Sequence, residues 1–260
     1  MSSEKLVFRT ALLIVLVWLM LPITLPATIS FSDTESITFP PRGFTLRWVK
    51  RVFNYGMFTT GIKVSTTIAF FASIIGILIN LPASYVLIRY KIPGRAIIEQ
   101  FFTLPTLVPQ IILGYALLIF IVKIIGLSSL AGLMIGHTIA VFPFSMRIIY
   151  GSLVNLNPEI EEAAVSLGAS RIKAFFDVVL PNLREGLIGA FVMSFMVSFN
   201  NVPISLFLGL GENMPLPIAM YNYLVMKYDP TLAALSLLLM VFTIVLSVIV
   251  EKTVGLLSRG

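Results

Sequence analysis

Apolar residues run almost unbroken over Leu12–Thr28, Val64–Leu87, Ile97–Ile125, Ala131–Tyr150, Leu187–Leu208 and Leu232–Val250. Each run approaches or exceeds the roughly 20 residues that a helix needs to cross the hydrocarbon of a bilayer. The pattern predicts an all-α membrane protein with six transmembrane helices. The first run follows a short charged end (Glu4, Lys5, Arg9), is longer than the apolar core of a secretion signal, and lacks a small-x-small cleavage site before Asp33 and Glu35. It is therefore read as a span.

The polar intervals are short, with one exception. After the first run, Trp48, Val49, Val52 and Phe53 share one helical face and Arg47, Lys50 and Arg51 another, which predicts an amphipathic helix lying in the membrane interface. The second and third runs meet at Tyr90-Lys91-Ile92-Pro93-Gly94-Arg95, where the Pro-Gly pair reverses the chain. Pro105 and Pro109 each remove a backbone donor from the third run and predict a bend there. The exception lies between the fourth and fifth runs. Asn157 suits a helix cap, Pro158 a first turn, and Glu159, Glu161 and Glu162 complement the positive end of the helix dipole. Gly168 is placed to end that helix in a left-handed conformation, and a second helix starting at Ser170 is expected to stop at Pro181. The segment 157–181 reads as a compact knob suited to a groove on a partner.

Composition agrees with the pattern. The 260 residues are 58% hydrophobic and 12% charged, against roughly 25% charged in soluble domains. With no cysteine, the chain holds no disulfide, thiol nucleophile or thiolate metal site. The net charge of +6 is spread over short loops without a basic stripe interleaved with aromatics, which suits anionic lipid better than nucleic acid. If both termini are cytoplasmic, Lys5, Arg9, Arg89, Lys91, Arg95, Arg171, Lys173, Arg184, Lys252 and Arg259 lie inside, with Arg147 at the boundary. Arg42, Arg47, Lys50, Arg51, Lys123 and Lys227 then lie outside, a modest bias of the expected sign.

Polar residues inside spans are costly and mark candidate sites. Lys63 and Lys123 sit near span ends, where their stems reach the interface, and Glu99 lies near the boundary after Pro93-Gly94. His137, the single histidine, is either a hydrogen-bonded packing residue or a contributor to a solute pathway. Ser194, Ser198 and Asn201 recur at roughly helical spacing beside Asn200, ahead of Pro203 and Ser205. They could line a pathway or bond one helix to another.

The polar loop carries Glu162-Ala163-Ala164, then three residues to Gly168, nine to Val178, and Leu180-Pro181. This spacing resembles the EAA loop of permease subunits of bacterial binding-protein-dependent ABC importers. Leu104-Pro105 with Pro109 and Gly114, His137 with Pro143, and Leu216-Pro217 followed by Tyr228-Asp229-Pro230 resemble the polyamine, opine and phosphonate branch of that family. The resemblance covers about Gly61 to Val250. It implies a type I importer permease fold with a cytoplasmic coupling helix between spans four and five, and a core domain over 61–255 after an N-terminal span and external segment over 1–60. It assigns Glu162, Ala163, Ala164, Leu167, Gly168 and Arg171 to contact with an ATPase. It implies two ATP-binding subunits that hold ATP and Mg, a second permease subunit, a related chain in a heterodimer more readily than a copy in a homodimer, an extracytoplasmic substrate-binding protein, and a multi-pass place in the bacterial inner membrane. This chain itself would bind no cofactor or metal and carry no catalytic residue. Polyamine-type permeases commonly place carboxylates where this chain has Asn200 and Asn201, a departure that favours a neutral, zwitterionic or anionic solute over a polyamine.

The residues also weigh against other functions. No G-x-x-x-x-G-K-[ST] loop occurs, so a nucleotide site would belong to another chain. A stand-alone secondary carrier would show more spans, an internal repeat and a central coupling carboxylate. A membrane hydrolase would show G-x-S-x-G or H-E-x-x-H, and neither is present.

Overall fold

The computed structural model describes residues 3–254. Arg259, the side chains of Glu4 and Lys252, and position 255 lie outside that description. The described residues form α1 (Ser3–Ile29), α2 (Arg47–Asn54), α3 (Gly56–Arg89), α4 (Arg95–Leu107) and α5 (Gln110–Leu117), which is prolonged by a π-helical stretch over Leu118–Ile124. Next come α6 (Ser129–Asn155), α7 (Pro158–Ser166), and α8 (Arg171–Ala174), which runs through a π-helical stretch, Phe175–Val179, into α9 (Leu180–Asn182). The last are α10 (Arg184–Phe199), α11 (Pro203–Leu208), α12 (Leu216–Met226) and α13 (Thr231–Val254).

Among the described residues four helices are long and apolar enough to span a membrane, and two bent pairs raise the number to six if each pair is one span. The third run is the first bent pair, Arg95–Leu107 with Gln110–Ile124 at 97°. The break falls where the prolines place it. Val108 is extended ahead of Pro109, and a residue before proline is driven from the helical region. The second pair, Arg171–Asn182 with Arg184–Phe199, bends by 67°. Here the helix runs one residue past Pro181, to Asn182, and the chain turns at Leu183. The fifth run is not continuous either: α10 ends at Phe199, and α11 begins afresh at Pro203.

Two compact units can be described separately, one from the residues up to Thr59 with Met220–Leu246, the other from Thr60–Ala219 with the residues from Ser247 onward. In the larger unit, α11 lies close against α5 and α6. A Cβ on Gly114 would stand 2.8 Å from the carbonyl oxygen of Pro203, and one on Gly136 would stand 2.8 Å from Cγ2 of Ile204. Small residues admit such approaches where membrane helices pack by van der Waals contact. Ile68, Leu117, Ile121, Leu133, Ala140, Ile204 and Leu208 close over that contact. Buried Asn80 joins α3 to α6 by donating to the Phe142 carbonyl at 2.9 Å and to Ser145 Oγ at 2.6 Å.

In the smaller unit, the amphipathic helix differs from the expectation. The apolar residues of α2 do not all face lipid, since Trp48 and Val52 are buried within the chain while Phe53 remains exposed. The indole N–H of Trp48 donates to the Ser32 carbonyl at 2.7 Å, and the Arg47 guanidinium lies 4.4 Å over the indole ring. Arg51 pairs with Asp229 at 3.3 Å, so α2 is tied to the turn ahead of α13. Along α1, by contrast, Leu12 to Leu21 are exposed within the chain, as suits a lipid-facing helix.

Asp229 also accepts from the Thr231 backbone N–H and the Tyr223 hydroxyl, each at 2.9 Å. Burial alone would raise its carboxyl, but the bonds from Thr231 and Tyr223 and the Arg51 charge outweigh burial and hold it below its ordinary value of 3.8. A depressed carboxylate stabilises the fold above its unfolded value, and that contribution disappears as pH falls through the folded one. We expect Asp229→Asn to lower the thermal unfolding midpoint at neutral pH and to remove any acid-induced drop that this group causes. Equal midpoints in the two proteins at neutral pH would contradict this.

Candidate functional site

The loop between α6 and α10 folds as its residue types require. Asn157 Oδ1 accepts from the Glu159 N–H at 3.0 Å, capping α7 ahead of Pro158. Gly168 adopts φ +99°, and the Gly168 and Ala169 N–H groups bond back to the carbonyls of Val165 and Ala164, closing the helix end. Ser170 Oγ then accepts from the Lys173 N–H at 3.2 Å and opens α8.

The two faces of this knob differ. On the inner face, Val179 and Leu183 pack with Ile149, Leu153 and Ala190 of the larger core, and the Phe175 ring meets Tyr85 edge-on at 4.8 Å. On the outer face Leu167 is 90% exposed, while Ile172 and Phe176, also exposed, line a shallow cleft against Tyr85, Val86 and Tyr90 of α3. Of the residues singled out in the sequence, Glu162, Ala163, Leu167, Gly168 and Arg171 are exposed, with Ala164 half-buried. An exposed face that combines apolar side chains with charges at its edges is suited to a protein partner.

In sequence Glu161 is one of several acidic residues at the start of a helix, yet it is turned inward and only 4% exposed. Its carboxylate pairs with Arg89 Nε at 3.1 Å and accepts from the Tyr85 hydroxyl, while Arg89 also donates to the Leu156 carbonyl at 3.3 Å. Tyr85 and Arg89 stand four residues apart, on one face of the end of α3. That spacing was the available signal, but the sequence does not say which of three neighbouring glutamates it serves.

A second polar group occupies the interior of the same unit. His137, 2% exposed, bonds through Nδ1 to Ser198 Oγ at 2.8 Å and through Nε2 to Ser205 Oγ at 3.1 Å. A neutral imidazole has one donor and one acceptor nitrogen, and serine hydroxyls can satisfy both. Ser198 belongs to α10 and Ser205 to α11, so His137 bridges the break in the fifth run. Asn201, inside that break, accepts from the Ile204 N–H at 3.0 Å and donates to Gln110 Oε1 at 3.2 Å. Gln110 opens α5 just after the other break, so one bond joins the two interruptions. In sequence Gln110 carries no signal of this role, since it is a lone amide after a proline in an otherwise apolar run. Ser194 is buried with no hydrogen-bond partner for its hydroxyl among the described residues, whereas Asn200 is exposed and donates to the Met196 carbonyl at 3.0 Å.

Comparison with known proteins adds a family to this geometry. Residues 72–259 match the family described as binding-protein-dependent transport system inner membrane component. The spermidine/putrescine transport system permease protein PotC of Haemophilus influenzae is 25% identical over 238 residues, covering 91% of each chain. The sulfate transport system permease protein CysT of Salmonella typhimurium is 32% identical over 158 residues, which cover 56% of this chain and 57% of that one. A chain in the crystal structure of a bacterial ABC transporter involved in import of the acidic polysaccharide alginate superposes with a TM-score of 0.74 at 16% identity, covering 97% of this chain and 98% of that one.

Two outcomes test the geometry. Removing one partner of a buried ion pair costs about 3–5 kcal/mol, so Glu161→Ala and Arg89→Ala should each speed amide hydrogen exchange across α7; unchanged exchange in both would refute the tether. His137→Ala should lower the unfolding midpoint, since leaving buried hydroxyls unpaired costs about 1–3 kcal/mol. An unchanged midpoint would show that His137 does not hold the break together.

Proposed function

Because this chain belongs to the family of binding-protein-dependent transport system inner membrane components, we propose that it is a transmembrane permease subunit of an ATP-driven importer, forming part of the path of a small polar solute. The observation that carries the coupling assignment is the two-faced knob over 157–182: its inner face is locked to α3 and the core of the larger unit, and its outer face presents Leu167 at 90% exposure with Glu162, Ala163 and Gly168 exposed around the same helix end. Such a knob can pass the movement of a cytoplasmic partner to the spans without deforming.

In this reading Glu162, Ala163, Ala164, Leu167, Gly168 and Arg171 meet an ATPase subunit. Ala163 and Ala164 permit close approach, and Gly168 provides the turn. ATP and Mg are held by two such partner subunits, which places the knob and both termini in the cytoplasm. A related second permease chain and an external binding protein complete the importer. Asn200, exposed at the break in the fifth run, is the pathway residue that a solute meets directly. His137, Ser198 and Asn201 hold the broken helices around it, with buried Ser194 on the same face. The relatives are named for polyamines and for sulfate, solutes of opposite charge, so kinship leaves the substrate open.

Gly168→Asp tests the coupling role. A Cβ there meets nothing within 4 Å, but φ +99° strains any side chain, and the carboxylate would add charge to the outer face. We expect the variant to insert normally and to lose stimulation of ATP hydrolysis by the loaded binding protein in the reconstituted importer. Normal stimulation would overturn the assignment.

A further inference from the structure

A cleft of about 520 Å³ opens between α4 and α6 in the larger unit, and neither the knob nor the His137 cluster uses it. Its size falls in the range of small-molecule sites. Glu99, Thr103 and Thr106 line it from α4, with Phe144, Arg147 and Tyr150 from α6.

The polar groups are divided by chemistry. Glu99 Oε1 accepts from Arg95 Nε at 2.7 Å and from the Tyr150 hydroxyl at 2.9 Å, and Oε2 takes part in neither bond. Arg95 also donates to the Tyr150 hydroxyl. Thr103 gives its hydroxyl proton to the Gln100 carbonyl at 2.9 Å, and Thr106 gives its proton to the Thr103 carbonyl at 2.7 Å. Both hydroxyls are therefore left with acceptor capacity alone. Arg147 is exposed, and the ion pairs among the described residues, Arg51 with Asp229, Arg89 with Glu161 and Arg95 with Glu99, do not include it. The cleft thus sets an unpaired guanidinium on α6 against a row of acceptors on α4.

We infer that this cleft is a solute subsite for a zwitterion, whose carboxylate or phosphonate pairs with Arg147 and whose ammonium or hydroxyl donors meet Glu99, Thr103 and Thr106. A guanidinium binds such oxyanions through paired hydrogen bonds, and the aromatic and methylene walls accommodate a short carbon chain. A polyamine fits poorly, because it supplies no anion to Arg147 and places further positive charge near Arg95. The inference rests on the permease reading and narrows its substrate to one class.

The test uses the assembled importer in phosphatidylcholine nanodiscs, treated with phenylglyoxal. Peptide mass spectrometry follows modification of Arg147, with exposed Arg184 as the internal control. The probes are 4-aminobutyrate and putrescine, which share a four-carbon chain and differ in one end, a carboxylate or a second ammonium. At twice its half-protection concentration, 4-aminobutyrate should slow modification of Arg147 about threefold by mass action, leave Arg184 unchanged, and find no counterpart in putrescine. Absence of protection, or equal protection by putrescine, would overturn the inference. So would protection seen only when phosphatidylglycerol is added, which would assign Arg147 to a lipid headgroup. ATP hydrolysis stimulated normally in the same nanodiscs would confine such a failure to the cleft and leave the permease reading standing.

Discussion

The buried ion pair between Arg89 and Glu161 is the contact on which the account of the loop depends. Taking two charges out of water costs several kcal/mol per ion, and the pair persists only if the remaining donors and acceptors are also bonded. Here Tyr85 and the Leu156 carbonyl provide those bonds. The result is a stiff joint between the last residue of α3 and the first turns of α7. Without it the outer face would still carry Leu167, but the loop would lose the charged attachment to α3 that Arg89 provides.

The second constraint is the hydrocarbon itself, in which every freed backbone group must find a partner inside the protein. Two runs are interrupted, one at Val108 and Pro109, the other at Asn200 to Val202. A side chain takes one such backbone group at the second break, and side-chain bonds tie the second break to the first. Asn201 takes the Ile204 N–H and reaches Gln110 across the gap, while His137 holds a serine on each side of the second break. The polar residues of the interior thus first make broken spans tolerable. A route for solute can be built beside breaks secured in this way.

Much of this was legible in the residues. Run lengths marked the spans, Pro105 and Pro109 the first bend, and Asn157, Gly168 and Ser170 the knob, because each of these signals is local. What escaped was set by tertiary contact. Glu161 was hidden among similar neighbours, and its inward turn depends on Tyr85 and Arg89, more than seventy positions earlier in the chain. The stop expected at Pro181 falls one residue later, and the turn at Leu183 is where that helix meets α10. Trp48 and Val52 looked lipid-facing because an amphipathic face is the same in sequence whether membrane or protein covers it. Arg147 reads in sequence only as a boundary charge, since the cleft beside it exists only once α4 packs on α6.

The central claim is that the outer face of the knob is covered by a cytoplasmic ATPase. The chain contains no cysteine, so Leu167→Cys introduces a single reporter at the most exposed point of that face. Its labelling by a membrane-impermeant maleimide, applied to inside-out vesicles with and without the ATPase subunits, measures the claim directly. The account predicts rapid labelling of the permease alone and strong protection once the ATPase assembles. Equal labelling in both preparations, or labelling only from the outer side, would contradict it.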